Sequence, residues 1–181
     1  HQPPRFNIAV SPQKLSQQQT QPDERFSDEF DIISTIGHGV YGTVYKVKSK
    51  LDGCLYAVKR VNEIYKGQPT VLNEVYALAA ICSNGEENPH VVRYFSSWVD
   101  KDKHLYIQTE LCDMSLDEIL AKGIHLYYPN STLEDFALEV LRQVLLGLRK
   151  LHSQNLVHLD VKPANIFVKK GVFKLGDLGH A

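Results

Sequence analysis

Gly37-His38-Gly39-Val40-Tyr41-Gly42-Thr43-Val44 carries three glycines in the spacing G-x-G-x-x-G, and the residues just beyond them decide the fold. Dinucleotide-binding folds share the spacing but use it to open a helix. Here Thr43-Val44-Tyr45-Lys46-Val47-Lys48 alternates with period two and runs on to Asp52-Gly53, a hairpin turn signal. The glycines therefore form the tip of a β-hairpin. Backbone amides at such a tip can close over phosphates without obstruction from side chains. A plain hairpin accounts for one or two glycines there, less readily for three.

Working outward, Phe30-Asp31-Ile32-Ile33-Ser34-Thr35-Ile36 reads as the strand entering the tip, and Cys54 to Val61 as a third strand. Thr70 to Cys82 places Val71, Leu72, Val75, Leu78, Ala79 and Cys82 at helical spacing. Val91 to Val99 and Leu105 to Thr109 read as two more strands, joined by the charged turn Asp100-Lys101-Asp102-Lys103. Five strands and one helix in that order make a compact antiparallel lobe over residues 26–109. The rest, residues 110–181, is helical at first. Thr132-Leu133-Glu134-Asp135 starts a long amphipathic helix with a capping-box-like Thr and Asp. Its predicted buried stripe is Phe136, Ala137, Val140, Leu141, Val144, Leu145, Leu148 and Leu151, with Asn155 as a stop. Val157 to Lys169 and Val172 to Leu175 then read as loop and short hairpin. The fold class is α+β in two lobes, with no internal repeat.

Residues 1–25 are rich in Gln, Pro and Ser and are expected to be a disordered leader, since they offer little apolar surface to offset ordering entropy. Ser11-Pro12 within them looks like a target for proline-directed kinases, and equally like a chance pair. The net charge of −1 gives no reason to expect broad electrostatic binding to nucleic acid or anionic lipid. Cys54, Cys82 and Cys112 are scattered and lack zinc-site spacing, which fits a reducing compartment. No run of about 18 apolar residues suggests a membrane segment.

The chemistry-bearing stretches stand in a telling order. After the glycine tip come Tyr56-Ala57-Val58-Lys59-Arg60 on the third strand and Glu74 on the helix. Next are Thr109-Glu110-Leu111-Cys112 between the lobes, His158-Leu159-Asp160-Val161-Lys162-Pro163-Ala164-Asn165, and Asp177-Leu178-Gly179. Singly each is weak. A strand lysine is usually just solvated, and Asp-Leu-Gly is commonly a turn. Together they resemble the signature set of a eukaryotic protein kinase, with a complete five-stranded first lobe and a truncated helical second lobe.

The resemblance implies a role for each. Ile36, Gly37, Gly39, Gly42, Val44 and Ala57 would enclose ATP from above, and Lys59, paired with Glu74, would contact its α- and β-phosphates. The backbone of Glu110 and Cys112 would hydrogen-bond adenine, Thr109 would guard the deeper pocket, and Phe167 would lie beneath the base. An ordinary core aromatic is an equal reading of Phe167. Asp160 would accept the proton of the attacking hydroxyl, and Lys162 would neutralise charge on the phosphoryl group in flight. Asn165 and Asp177 together would hold Mg2+, a hard cation that prefers oxygen ligands.

More narrowly, the chain resembles the Wee family of cell-cycle inhibitory kinases over about residues 30–181. Asp52 to Arg60, Asn73 to Ala77, His90 to Trp98, Leu105 to Cys112, His158 to Phe167 and Gly176 to His180 carry this likeness. Leu178 followed by Gly179-His180 resembles the soluble nuclear members. Thr109 to Cys112 and His158-Leu159-Asp160 also occur in membrane-associated Myt-type and plant-like members, so both subfamilies stay open. The resemblance implies transfer of the ATP γ-phosphate to a tyrosine of a cyclin-dependent kinase–cyclin substrate, inhibiting mitotic entry. It also implies a nuclear location, with the cytoplasm as the alternative. Lys162 in the K-P-x-N form is the usual serine/threonine pattern, which keeps a generic serine/threonine kinase as a competing reading. A non-catalytic pseudokinase scaffold is the other, and it would be favoured by loss of Lys59, Asp160 or Asp177, all present here. Leu159 replaces the arginine that pairs with an activation-loop phosphate, so activity independent of that phosphate is expected. Asn165 lies sixteen residues before the last residue, Ala181, and no activation segment comes after it within the chain. The chain alone is therefore expected to be inactive and to expose apolar surface.

Overall fold

A computed structural model describes residues 25–39, 42–61, 70–82 and 88–179. The leader, the Ser11-Pro12 pair and the loop tip at Val40-Tyr41 lie outside the described residues, except that Arg25 opens a short helix, α1 (Arg25–Glu29).

The first lobe is an antiparallel sheet of β1 (Phe30–Gly39), β2 (Gly42–Ser49), β3 (Leu55–Val61), β4 (Tyr94–Val99) and β5 (Leu105–Glu110), in the order β1-β2-β3-β5-β4. The expected hairpin is present: His38 pairs with Thr43 and Gly39 with Gly42. Gly42 has φ +151°, and a Cβ there would collide with the Arg60 carbonyl oxygen on β3, so this position requires glycine for the approach of two strands. On one face, Phe30, Val47, Val58 and Tyr106 are buried together, and Phe26 of α1 stacks on Tyr106 with ring centroids 5.0 Å apart. The lobe thus has a second short helix beyond the one expected. The other face receives α2 (Thr70–Cys82), through Ala77, Leu78 and Ile81. The strand expected over Val91 to Val99 is shorter: Val91 instead makes a single parallel bridge to Leu175 in the second lobe.

The second lobe contains β6 (Met114–Ser115), α3 (Leu116–Lys122), α4 (Leu133–Ser153), β7 (Ile166–Lys169) and β8 (Val172–Leu175). The sequence reading missed α3, although Ser115 and Glu118 form a full capping box at its start. Its seven residues are too short for hydrophobic periodicity to register. α4 begins as expected. The Thr132 hydroxyl accepts from the Asp135 amide (3.1 Å) and donates to the Asp135 carboxylate (2.8 Å). It ends in a Schellman motif: Asn155 takes φ +58°, its amide donates to His152 O, and that of Leu156 to Leu151 O.

The stripe on α4 needs correction. Phe136, Val140, Val144 and Leu151 are buried and Leu148 is half-buried, but Ala137, Leu141 and Leu145 are exposed. At about 100° per residue the buried set shares one face, pressed on β8, with Gln143 and Gly147 filling it. Leu141 and Leu145 point roughly a quarter-turn or more away, where nothing among the described residues covers them. The helix has two apolar faces, and the sequence reading merged them.

Candidate active site

Between the lobes lies a cavity of about 400 Å3 whose two ends differ in chemistry. Its apolar end is walled by Ile36, Val44, Ala57, Val92, Met114 and Phe167, with Thr109 and Glu110 at the end of β5 and Cys112 in the link that follows. Its polar end carries Lys59, Glu74, Asn165 and Asp177. An adenine base suits the first and a metal-bound polyphosphate the second. Gly176 makes the narrow part possible. A Cβ on it would stand 2.8 Å from the Phe167 ring and 3.0 Å from a Val92 methyl.

The polar end is built on one lysine. Lys59 Nζ lies 2.7 Å from Glu74 Oε2 and 3.1 Å from Asp177 Oδ1. Burial pulls the pKa of this ammonium down, but the two carboxylates more than reverse that and hold it above the ordinary value. Lys59 comes from β3, Glu74 from α2 and Asp177 from the loop after β8, so one charge cluster joins both lobes. Leu178 is completely buried in the core that includes Leu78 of α2. Leu78 lies one turn beyond Glu74 on that helix.

The segment from His158 to Asn165 forms a second cluster. Asp160 Oδ2 lies 2.8 Å from Lys162 Nζ and 2.9 Å from Asn165 Nδ2, which also donates to the Asp160 carbonyl (2.9 Å). With both amide protons of the buried Asn165 directed at Asp160, its oxygen is the donor it can offer a cation. His158 is 1% exposed, and its Nε2 sits 3.0 Å from the Gly176 carbonyl. A carbonyl only accepts, so Nε2 carries the proton, and Nδ1 faces the Asp160 amide at 3.4 Å. Through this imidazole the Asp160 loop and the Asp177 loop are held in one frame. Both loops store backbone strain: Leu159 has φ +59° and Asp177 φ +56°, in a region non-glycine residues seldom occupy.

The structure gathers most of the sequence-named site residues around the cavity and places others apart from it. Asp160 and Lys162 stand beside the cavity, joined to it through Asn165. Gly37, Gly39 and Gly42 do not line it. They hold the hairpin above it, and a Cβ on Gly39 would meet nothing within 4 Å. The backbone amide of Glu110 donates to Arg93 O (2.9 Å), so the groups this segment can offer a base are the Glu110 carbonyl and the Cys112 backbone. The sequence reading missed Val92, Asp113, Met114, Ser115 and Glu118, which also line the cavity. The capping box at Ser115 was the available signal for the last two.

The protein kinase domain family matches residues 30–181. The chain belongs to the protein kinase family. Its relatives include Wee1-like protein kinase 1-B of Xenopus laevis, 36% identical over 86% of this chain and 29% of that protein. Wee1-like protein kinase 2 of Mus musculus is 37% identical over 91% of the chain and 33% of the relative, and that of Homo sapiens 36% identical over 90% and 32%. The Wee resemblance read from the sequence is borne out in this likeness. The chain spans about a third of the length of these curated relatives.

Kinases as a family use ATP with a divalent metal, and the donor set here suits such an ion. Asp177 supplies a carboxylate, Asn165 an amide oxygen, and both are hard ligands on the rim of the same cavity. A bound cation supplies charge neutralisation to the phosphates. Of the chain's own groups, Lys59 offers a cation that phosphates can contact, Asp160 a carboxylate that can take a proton, and the apolar end a surface on which a base can lie.

Proposed function

We propose that this kinase is of Wee type and transfers the γ-phosphate of Mg-ATP to a tyrosine of a cyclin-dependent kinase, restraining entry into mitosis from within the nucleus. The observation that carries the reading is the joining of Lys59, Glu74 and Asp177 into one ion cluster at a cavity that Asn165 also lines. The Wee1-like relatives support the choice of substrate class. Asp160 acts as the base, Lys162 steadies the transferring phosphoryl group, and Asn165 with Asp177 holds Mg2+.

The test is phosphorylation by the full-length protein of a cyclin-dependent kinase–cyclin complex, in wild-type form and with the glycine-loop tyrosine changed to Phe. Phosphotyrosine on the wild-type substrate alone is the expected result, read by mass spectrometry. Phosphate on serine or threonine in both substrates would instead establish the second reading, a serine/threonine kinase. That reading is favoured by Lys162, whose K-P-x-N form is the serine/threonine pattern and whose Nζ lies 2.8 Å from the Asp160 carboxylate. Imaging of the tagged protein tests the nuclear location against a cytoplasmic one.

A further inference from the structure

Glu110 ends β5 and begins the link to the second lobe, and the adenine end of the cavity asks only for its backbone. Its side chain is nevertheless withdrawn from water, at 8% exposure, and met by three donors. Oε1 accepts from the Arg93 amide (2.8 Å) and from Lys174 Nζ (2.8 Å), and Oε2 lies 3.0 Å from Lys169 Nζ. Burial alone would raise the pKa of this carboxyl. The lysines and the Arg93 amide more than offset that, so it stays ionised, below the ordinary value. Lys174 is only 12% exposed, so neither member of the closest pair is an ordinary surface charge.

The two lysines belong to the β7–β8 hairpin of the second lobe. Lys174 stands in register opposite Phe167, the aromatic wall of the cavity. The Glu110 carboxylate therefore adds a charged tie between the strand that presents backbone to the base and the hairpin that presents a ring to it. It stands beside the ties of the next residues: the Asp113 amide to Val168 O (2.8 Å), the Lys170 amide to the Asp113 carboxylate (2.8 Å) and the pairing of β6 with β7. The polar end is held by other bonds: His158 Nε2 to Gly176 O (3.0 Å), Gly176 N to Asn165 O (3.0 Å), and Lys59 to Asp177 (3.1 Å).

We infer that the Glu110 side chain is a positioning residue that sets the width of the adenine slot, by latching the hinge strand to Lys174 and Lys169 on the hairpin that carries Phe167. The inference rests on reading the cavity as an adenine-nucleotide site. A latch of this placement governs affinity for the base and leaves the phosphate end alone, which a general loss of stability would not do.

The experiment titrates the full-length protein and its Glu110→Gln, Lys174→Met and double variants with Mg-ATP and, separately, with magnesium tripolyphosphate. Each single variant is expected to weaken ATP binding roughly 5- to 20-fold, only part of the cost of breaking a buried charge pair, because most of that cost falls on the folded protein with or without the ligand. Tripolyphosphate affinity is expected to stay within about twofold, and the double variant to be no weaker than the worse single, because both break one contact. In turnover, KM for ATP rises while kcat changes little. Lys174→Met leaves Glu110 its contact with Lys169, so it decides the matter by the same criterion if Glu110→Gln does not fold. Folded variants with unchanged ATP affinity, equal losses for both ligands, or multiplying effects in the double would each overturn the latch. A wild-type protein that binds ATP no better than tripolyphosphate would overturn the adenine-site reading itself.

Discussion

Replacing Lys59 by Met removes the cation that bridges Glu74 and Asp177 and leaves two carboxylates facing each other across the polar end of the cavity. The Lys59 side chain is 20% exposed and that of Glu74 11%, so solvent compensates only in part. Breaking a fully buried pair costs about 3–5 kcal/mol, and at this exposure about 2–3 kcal/mol is the fitting expectation. For a cooperative unit of about 150–250 residues that lowers its Tm by roughly 4–12 °C. The assay is thermal unfolding of the full-length protein, wild type against Lys59→Met, Glu74→Gln and the double variant. The double is expected to be more stable than Lys59→Met, because an amide needs no counter-charge. Acid should narrow the deficit of Lys59→Met, since a buried Glu74 that has lost its lysine has its folded pKa raised and is relieved by protonation as pH falls. In the wild type the sign is opposite at the other end of the scale. The raised pKa of Lys59 contributes stability that is fully present below the ordinary lysine value and is lost as pH rises through the higher folded one. A Lys59→Met protein that loses less than about 0.5 kcal/mol would refute the cluster as a structural joint between the lobes.

Other perturbations probe separate links. Gly42→Ala meets both the Arg60 carbonyl and an unfavourable φ, and should cost about 2–4 kcal/mol by thermal denaturation, far more than Gly39→Ala, which has open space. Burial, then the Glu110 charge, pushes the Cys112 thiol up to about 12, so iodoacetamide at pH 8 should label exposed Cys54 well before Cys112, as read by peptide mass spectrometry. Thr132→Ala removes the cap of α4 and should cost about 1 kcal/mol in chemical unfolding, with Thr132→Ser restoring most of it. Leu141→Lys with Leu145→Lys changes residues 54% and 53% exposed in this chain, and should raise its soluble yield without changing its far-UV circular dichroism.

Where the sequence was readable, the reason was periodicity long enough to exclude alternatives. The strand after Gly42 alternates over six residues, which ruled out a helix at the glycines and with it the dinucleotide-binding fold. The pairing of Lys59 with Glu74 was legible because the kinase resemblance assigns it, whereas the contact of Lys59 with Asp177 was not, since the resemblance gives Asp177 to a cation shared with Asn165. What stayed hidden was whatever depends on contacts between distant segments. Val91 lies beside residues that alternate like a strand, yet its backbone bridges to Leu175 because the second lobe competes for it. Glu110 looked like a hinge residue known by its backbone, and no local pattern announces that Lys169 and Lys174 will converge on its carboxylate from about sixty residues away. Leu141 and Leu145 sit at apolar spacing, and spacing alone does not say whether a second apolar face has a partner.

The strained positions bear on why Leu159 is tolerated where an arginine would pair with a phosphate. Its φ of +59° is fixed by the bonds that flank it: the Asp160 amide turned back on the His158 carbonyl at 2.9 Å, and His158 held by Gly176. The side chain itself is 74% exposed and contributes little to that turn. The backbone of the loop is thus held from the buried side, by an imidazole and a carbonyl, without a phosphate reaching it from the exposed side. A full-length protein whose activity is unchanged by phosphatase is the expected consequence, and Leu159→Arg should leave that insensitivity in place because the imidazole bond remains. Loss of activity on phosphatase treatment of the wild type would mean that the frame around His158 is not sufficient to hold Asp160 in position.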